Sequence, residues 1–75
     1  MTVFERVRDF LCERCGCEYE DVELAATFDA LNVADFEREH LALILEDAYE
    51  VPIPEGELFG FETLEDLVGY VEDRF

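Results

Sequence analysis

Seventy-five residues make room for one domain and none for a separate catalytic one, and a chain this short buries only about 60 to 65% of the surface its unfolded form exposes. Five Arg, no Lys and 21 acidic residues give a formal charge of -16, which repels nucleic acid and anionic membrane surfaces and steers basic partner surfaces toward the protein. The apolar share of 51%, with ten aromatic residues, is enough for one compact core and excludes a disordered chain.

In chain order, Thr2 followed by Glu5 has capping-box spacing, and Phe4, Val7, Phe10 and Leu11 recur behind it at helical intervals. This predicts an amphipathic first helix that stops at Gly16. The segment Cys17 to Asn32 keeps no period, so a long ordered loop is expected, pinned by Val22, Leu24, Phe28 and Leu31.

From Asp35 to Tyr49 the pattern is helical again. Leu41, Ile44, Leu45, Ala48 and Tyr49 are expected on the buried face, with Glu37, Arg38, Glu46 and Asp47 facing water. Asp35 falls at the cap or in the first turn, where a carboxylate is favoured by about 0.3 to 1 kcal/mol at an exposed site. Val51-Pro52-Ile53-Pro54 ends the helix, Glu55 to Phe59 reads as one short turn, and Thr63 with Asp66 restarts a helix whose stripe is Leu64, Leu67, Val68 and Val71. The apolar interior, rich in Phe4, Phe10, Phe28, Phe59 and Phe61, reads as a packed core.

Catalytic chemistry finds little to build on. One His, no Ser and no glycine-rich phosphate loop exclude nucleophilic and phosphoryl-transfer sites, and the acid pairs Glu46-Asp47 and Glu65-Asp66 read as solvated helix faces. Cys12, Cys15 and Cys17 with His40 invite a zinc reading, but C-x2-C-x-C is not a recognised ligand spacing, so no metal is expected and the cysteines read as core or surface thiols. An uneven number of clustered thiols, with no charged-then-apolar leader and no apolar run longer than Leu41 to Leu45, suggests a cytoplasmic protein without a membrane span.

The stretch Thr27 to Pro54 resembles the centre of an acyl carrier protein, and the resemblance runs colinearly through the rest of the chain. It is carried by Glu5-Arg6-Val7 with Phe10-Leu11, and by Cys15-Gly16-Cys17 where the family has Leu-Gly-Val. Val22 and Phe28 in the loop, Tyr49, Ile53 and Pro54 at the exit of the second helix, and Phe61, Thr63, Leu64 and Tyr70 in the last complete it. The resemblance implies a single domain over residues 1–75, an all-α four-helix bundle of three main helices and one short one, with a long loop after the first.

In that family an Asp-Ser-Leu triplet opens the second helix and phosphopantetheine is esterified to the Ser, whereas this chain reads Ala34-Asp35-Phe36. A carboxylate is not the hydroxyl that attacks coenzyme A, so the expectation is a carrier-like body without cofactor, neither an enzyme nor a covalent carrier. The family also has a hydrophobe at the position of Glu39 and an acid at that of His40. The expected docking face is Asp35, Phe36, Glu39, His40, Leu43, Glu46 and Asp47 on the second helix. Its partner would carry a basic and apolar patch, as an acyl- or peptidyl-assembly enzyme does, and the domain itself would be a monomer. For Asp35 two readings stand side by side: a permanent charge imitating part of a phosphoserine, or a plain helix-capping residue. The alternative function is a working carrier in fatty-acid, polyketide or nonribosomal peptide assembly.

Overall fold

Two threonines set the strongest helix starts. In the computed structural model, which describes residues 1–75, the Thr2 hydroxyl accepts the Glu5 amide at 3.1 Å and the Glu5 carboxylate accepts the Thr2 amide at 2.7 Å. This box opens α1 (Val3–Arg14), which buries Val3, Val7, Phe10 and Leu11. The helix ends where Gly16 adopts a φ of 70°, a conformation costly for any residue with a Cβ. The turn brings the Cys15 and Cys17 amides back onto the Leu11 carbonyl at 3.0 and 3.2 Å.

The long segment that follows holds one 3₁₀ turn, Tyr19–Asp21. Val22 and Phe28 are buried anchors as expected, whereas Leu24 is 40% exposed and pins nothing. The loop is held instead through its backbone. Phe28 donates to the Glu62 carbonyl at 3.1 Å, and the Leu64 and Glu65 amides donate to the Ala26 and Leu24 carbonyls at 3.0 and 2.9 Å. Those two amides belong to the first turn of α4 (Leu64–Glu72) and have no partner inside the helix, so loop and helix start satisfy each other. A second box, in which Thr63 accepts the Asp66 amide at 3.2 Å and Asp66 accepts the Thr63 amide at 3.2 Å, fixes the same end.

Between them lie α2 (Asp35–Tyr49) and the four-residue α3 (Glu55–Leu58). Glu50 ends α2 in the left-handed region at φ 57°, and its amide returns to the Glu46 carbonyl, so the helix stops before Pro52 is reached. α1 packs on α4 and α2, and α3 packs on α2. One cluster of 16 buried side chains, with Phe28 fully enclosed, joins all four helices and the loop. The architecture is the all-α four-helix arrangement expected. Of the five phenylalanines expected inside, Phe10 and Phe28 are buried, Phe4 and Phe61 half-buried, and Phe59 is 40% exposed.

The buried face of α2 departs from expectation. Leu41, Ala42 and Leu45 face the core, but Ile44 and Ala48 are exposed and Arg38 is buried. Residues 38, 41, 42 and 45 share one stripe at about 100° per residue, and Ile44 and Ala48 stand beside it. Arg38 is accommodated because its guanidinium lies 4.4 Å from the centre of the Phe28 ring and 5.8 Å from that of Phe59. Every other arginine also rests against a ring of its own chain: Arg6 on Tyr49, Arg8 on Tyr19 and Phe4, Arg14 on Phe10 and Arg74 on Tyr70. Only one ion pair forms, Arg38 with Asp29 at 3.6 Å, so the acidic surface is almost wholly without internal counter-charge.

Candidate functional site

Ala34, extended at φ -66° and ψ 154°, is the residue that precedes α2, and it brings no side chain to cap the helix. Its carbonyl accepts the Glu37 and Arg38 amides, each at 3.0 Å. Asp35 is therefore the first helical residue and not the cap. It is exposed, and what it lends α2 is the interaction of its charge with the helix dipole, about 0.3 to 1 kcal/mol. The capping hydrogen bond is missing, which takes most of the content from the plain capping reading.

Asp35 borders a cavity of about 500 Å³ with Thr27, Asp29, Arg38, Phe59, Phe61 and Glu62. Arg38 forms part of its wall. Its Nη1 reaches the Phe61 carbonyl only at 3.4 Å, Asp29 is 99% exposed, and Nε is buried with no partner. The hydroxyls nearest the helix in sequence can be placed. Thr27 sits in the same cavity wall, which sequence spacing did not reveal, and its Oγ1 accepts the Ala30 amide at 3.0 Å inside a turn. Tyr49 is at the far end of α2, and its hydroxyl accepts Arg6 Nε at 3.0 Å. No hydroxyl stands on the first turn of α2, so the residues there do not fit esterification by phosphopantetheine.

The remaining expected docking residues divide among three surroundings. Glu39, Leu43 and Glu46 line a groove of about 150 Å³ with Ala42, Ile53, Glu55 and Leu58, between α2 and α3. Glu46 is not a free surface acid: one of its carboxylate oxygens accepts the Ile53 amide at 2.6 Å and ties down the turn between the two helices. His40, expected on the docking face, is half-buried and edge-on to Phe10 of α1 with ring centres 5.5 Å apart. Phe36 at 69% and Leu43 at 63% are exposed, as is Asp47.

The three cysteines are free, partly buried and packed against the core. Cys15 donates to Glu37 Oε2 at 3.6 Å, and Cys17 points to the Leu31 carbonyl at 3.9 Å. Burial, then the nearby Glu37 carboxylate, push the Cys15 thiol up to about 11, and burial with Cys12 and Asp21 raises Cys17. Thiols so disposed are protonated at neutral pH and are poor nucleophiles and poor metal ligands. Neither they nor any other grouping of three His, Cys, Asp or Glu side chains is arranged to hold a metal ion. No helix is long and apolar enough to cross a membrane.

The family described as "Phosphopantetheine attachment site" matches residues 5–71. The chain is similar to the acyl carrier protein of Streptococcus pyogenes serotype M3, 38% identical over 74 residues that cover 99% of this chain and 97% of that protein. It is 34% identical to the acyl carrier protein of Streptococcus thermophilus over 74 residues, with the same coverage of both chains. That of Streptococcus pneumoniae serotype 4 is 35% identical over 75 residues. A family match across most of the chain, relatives aligned from end to end, and a four-helix fold with the long loop after α1 agree: the chain belongs to the acyl carrier protein family.

Proposed function

We propose that this protein is a carrier body that works without a covalent arm, as an acidic docking module for a partner with a basic and apolar patch. The reading rests on one observation: the first turn of α2 offers a carboxylate, Asp35, beside an exposed Phe36, and the chain contains no serine. Phe36 and Leu43 supply the apolar contacts, and Asp35, Glu39 and Asp47 the charge. Truncating one such apolar anchor is expected to cost about 2 kcal/mol or more of affinity, whereas rim acids act mainly on association rate and salt dependence. The relatives are named acyl carrier proteins, which supports as partner class an enzyme of acyl or peptidyl assembly, bound by a monomeric, non-catalytic domain in the cytoplasm. Competition with modified carriers and scaffolding both follow from such docking.

The runner-up, a working carrier, is favoured by the family's own description. Intact mass after co-expression with a broad phosphopantetheinyl transferase separates the two. The parent is expected to gain nothing and D35S to gain one arm. An arm on the parent chain replaces this reading with the carrier one. Asp35→Ala then asks what the acid does: weaker partner binding supports charge recognition, and unchanged binding with lower stability supports a purely structural acid.

A further inference from the structure

Gly69 stands in the interior of α4, where glycine is destabilising relative to alanine, and nothing in the chain demands it. Its φ is not positive, and a Cβ built on it would meet no atom within 4 Å. A helical glycine without an internal neighbour leaves bare backbone open to something outside. Here it lines a groove of about 380 Å³ between the start of α1 and α4, together with Phe4, Leu24 and Val68. Leu24, one of the four expected loop anchors, lies here and is 40% exposed. Glu65 and Glu72, four residues before and three after Gly69, lie on the same helix face, line the groove and are exposed. No α2 residue takes part, so this surface is distinct from the docking face above.

No arginine is among the groove's lining residues; Arg8 rests on the Phe4 ring, 5.4 Å from its centre, but neither it nor any other arginine forms an ion pair with Glu65 or Glu72. A purely apolar occupant would strip water from Glu65 and Glu72 without compensation, and a second copy of a chain at -16 would be repelled. We propose that this groove is a second docking surface, for a basic amphipathic helix of a partner protein that lays a small side chain on Gly69 and reaches Glu65 and Glu72 with Lys or Arg. The proposal goes beyond the single docking face and makes the domain bivalent, able to bridge two proteins.

The test is chemical-shift mapping on the ¹⁵N-labelled protein at low salt. The probe is a synthetic amphipathic helical peptide of alanine, leucine and lysine. Saturable shifts are expected at Phe4, Leu24, Val68 and Gly69. G69L is expected to weaken binding there at least about tenfold, G69A less, and E65Q/E72Q several-fold. Both glycine variants improve helix propensity into open space, and thermal melting confirms that they fold. Shifts confined to α2, or groove binding unmoved by G69L, overturn the proposal. So do groove shifts that grow with protein concentration without peptide, accompanied by a dimer mass in sedimentation, since the occupant is then a second copy. Groove shifts without any at Leu43 or Asp47 count against the α2 docking face and leave this proposal standing.

Discussion

Replacing Arg38 by methionine probes how much the buried guanidinium contributes, and the structure allows the magnitude to be worked. On the stabilising side are its stacking on Phe28 at 4.4 Å, about 0.5 to 2 kcal/mol, and a long bond to the Phe61 carbonyl at 3.4 Å, near the low end of about 0.5 to 1.5 kcal/mol. The Asp29 pair adds little, about 0 to 1 kcal/mol, because it is 3.6 Å long and Asp29 is 99% exposed. Against these stands the partnerless buried Nε, about 1 to 3 kcal/mol. The terms nearly cancel, and methionine keeps an apolar stem of similar length on Phe28. R38M is therefore expected within about 1 kcal/mol of the parent, or within roughly 4 to 8 °C in Tm for a domain of this size. R38A, which also leaves a void, should lose about 2 to 4 kcal/mol. Urea unfolding followed by circular dichroism at fixed salt, with matched m values, gives both numbers. A loss above about 2 kcal/mol for R38M would refute the reasoning, since it would make the charge itself a net stabiliser.

Other expectations concern charge and thiols. Because 21 acids share one ion pair, added salt should stabilise the domain, and a Tm that falls between low and moderate NaCl in calorimetry would contradict this. Glu5 and Asp66 titrate below their ordinary values of 4.5 and 3.8, chiefly because each carboxylate accepts backbone amides, of Thr2 in one case and of Thr63 and Glu62 in the other. A folded value below the unfolded one means that the stabilisation is complete at neutral pH and is lost as pH falls through the folded values. The stability gap between the parent and D66N should then narrow as pH falls below the ordinary carboxylate range, as should that for E5Q, and a gap that stays constant from pH 7 to 2 would exclude the capping origin. Cys15, with its thiol pushed up to about 11, should react slowly with iodoacetamide at pH 8 in the native protein and faster in urea. Peptide-resolved mass spectrometry reads the rates, and equal rates in the two states would show that burial does not govern this thiol.

Much of the fold was legible because it rests on local spacing. Thr2 with Glu5 and Thr63 with Asp66 form the boxes their three-residue intervals announce, Gly16 takes the positive φ, and α2 spans Asp35–Tyr49 as its periodicity requires. The site was legible only in part. Phe36 and Leu43 are exposed as anticipated, but His40 turned inward onto Phe10, Glu46 was drawn to the Ile53 amide, and Arg38 sank between Phe28 and Phe59. Each of these depends on a partner beyond one helical turn, which periodicity does not encode.

The sequence by itself determined the helical pieces, the net charge and the lack of a hydroxyl on the first turn of α2, since composition and intervals of three or four residues suffice for all of them. Only the tertiary structure decided which polar side chains leave water, which grooves α2 and α4 present, and that Gly69 faces open space. These are set by distances between residues far apart in the chain, and close packing fixes such distances only once all four helices are in place.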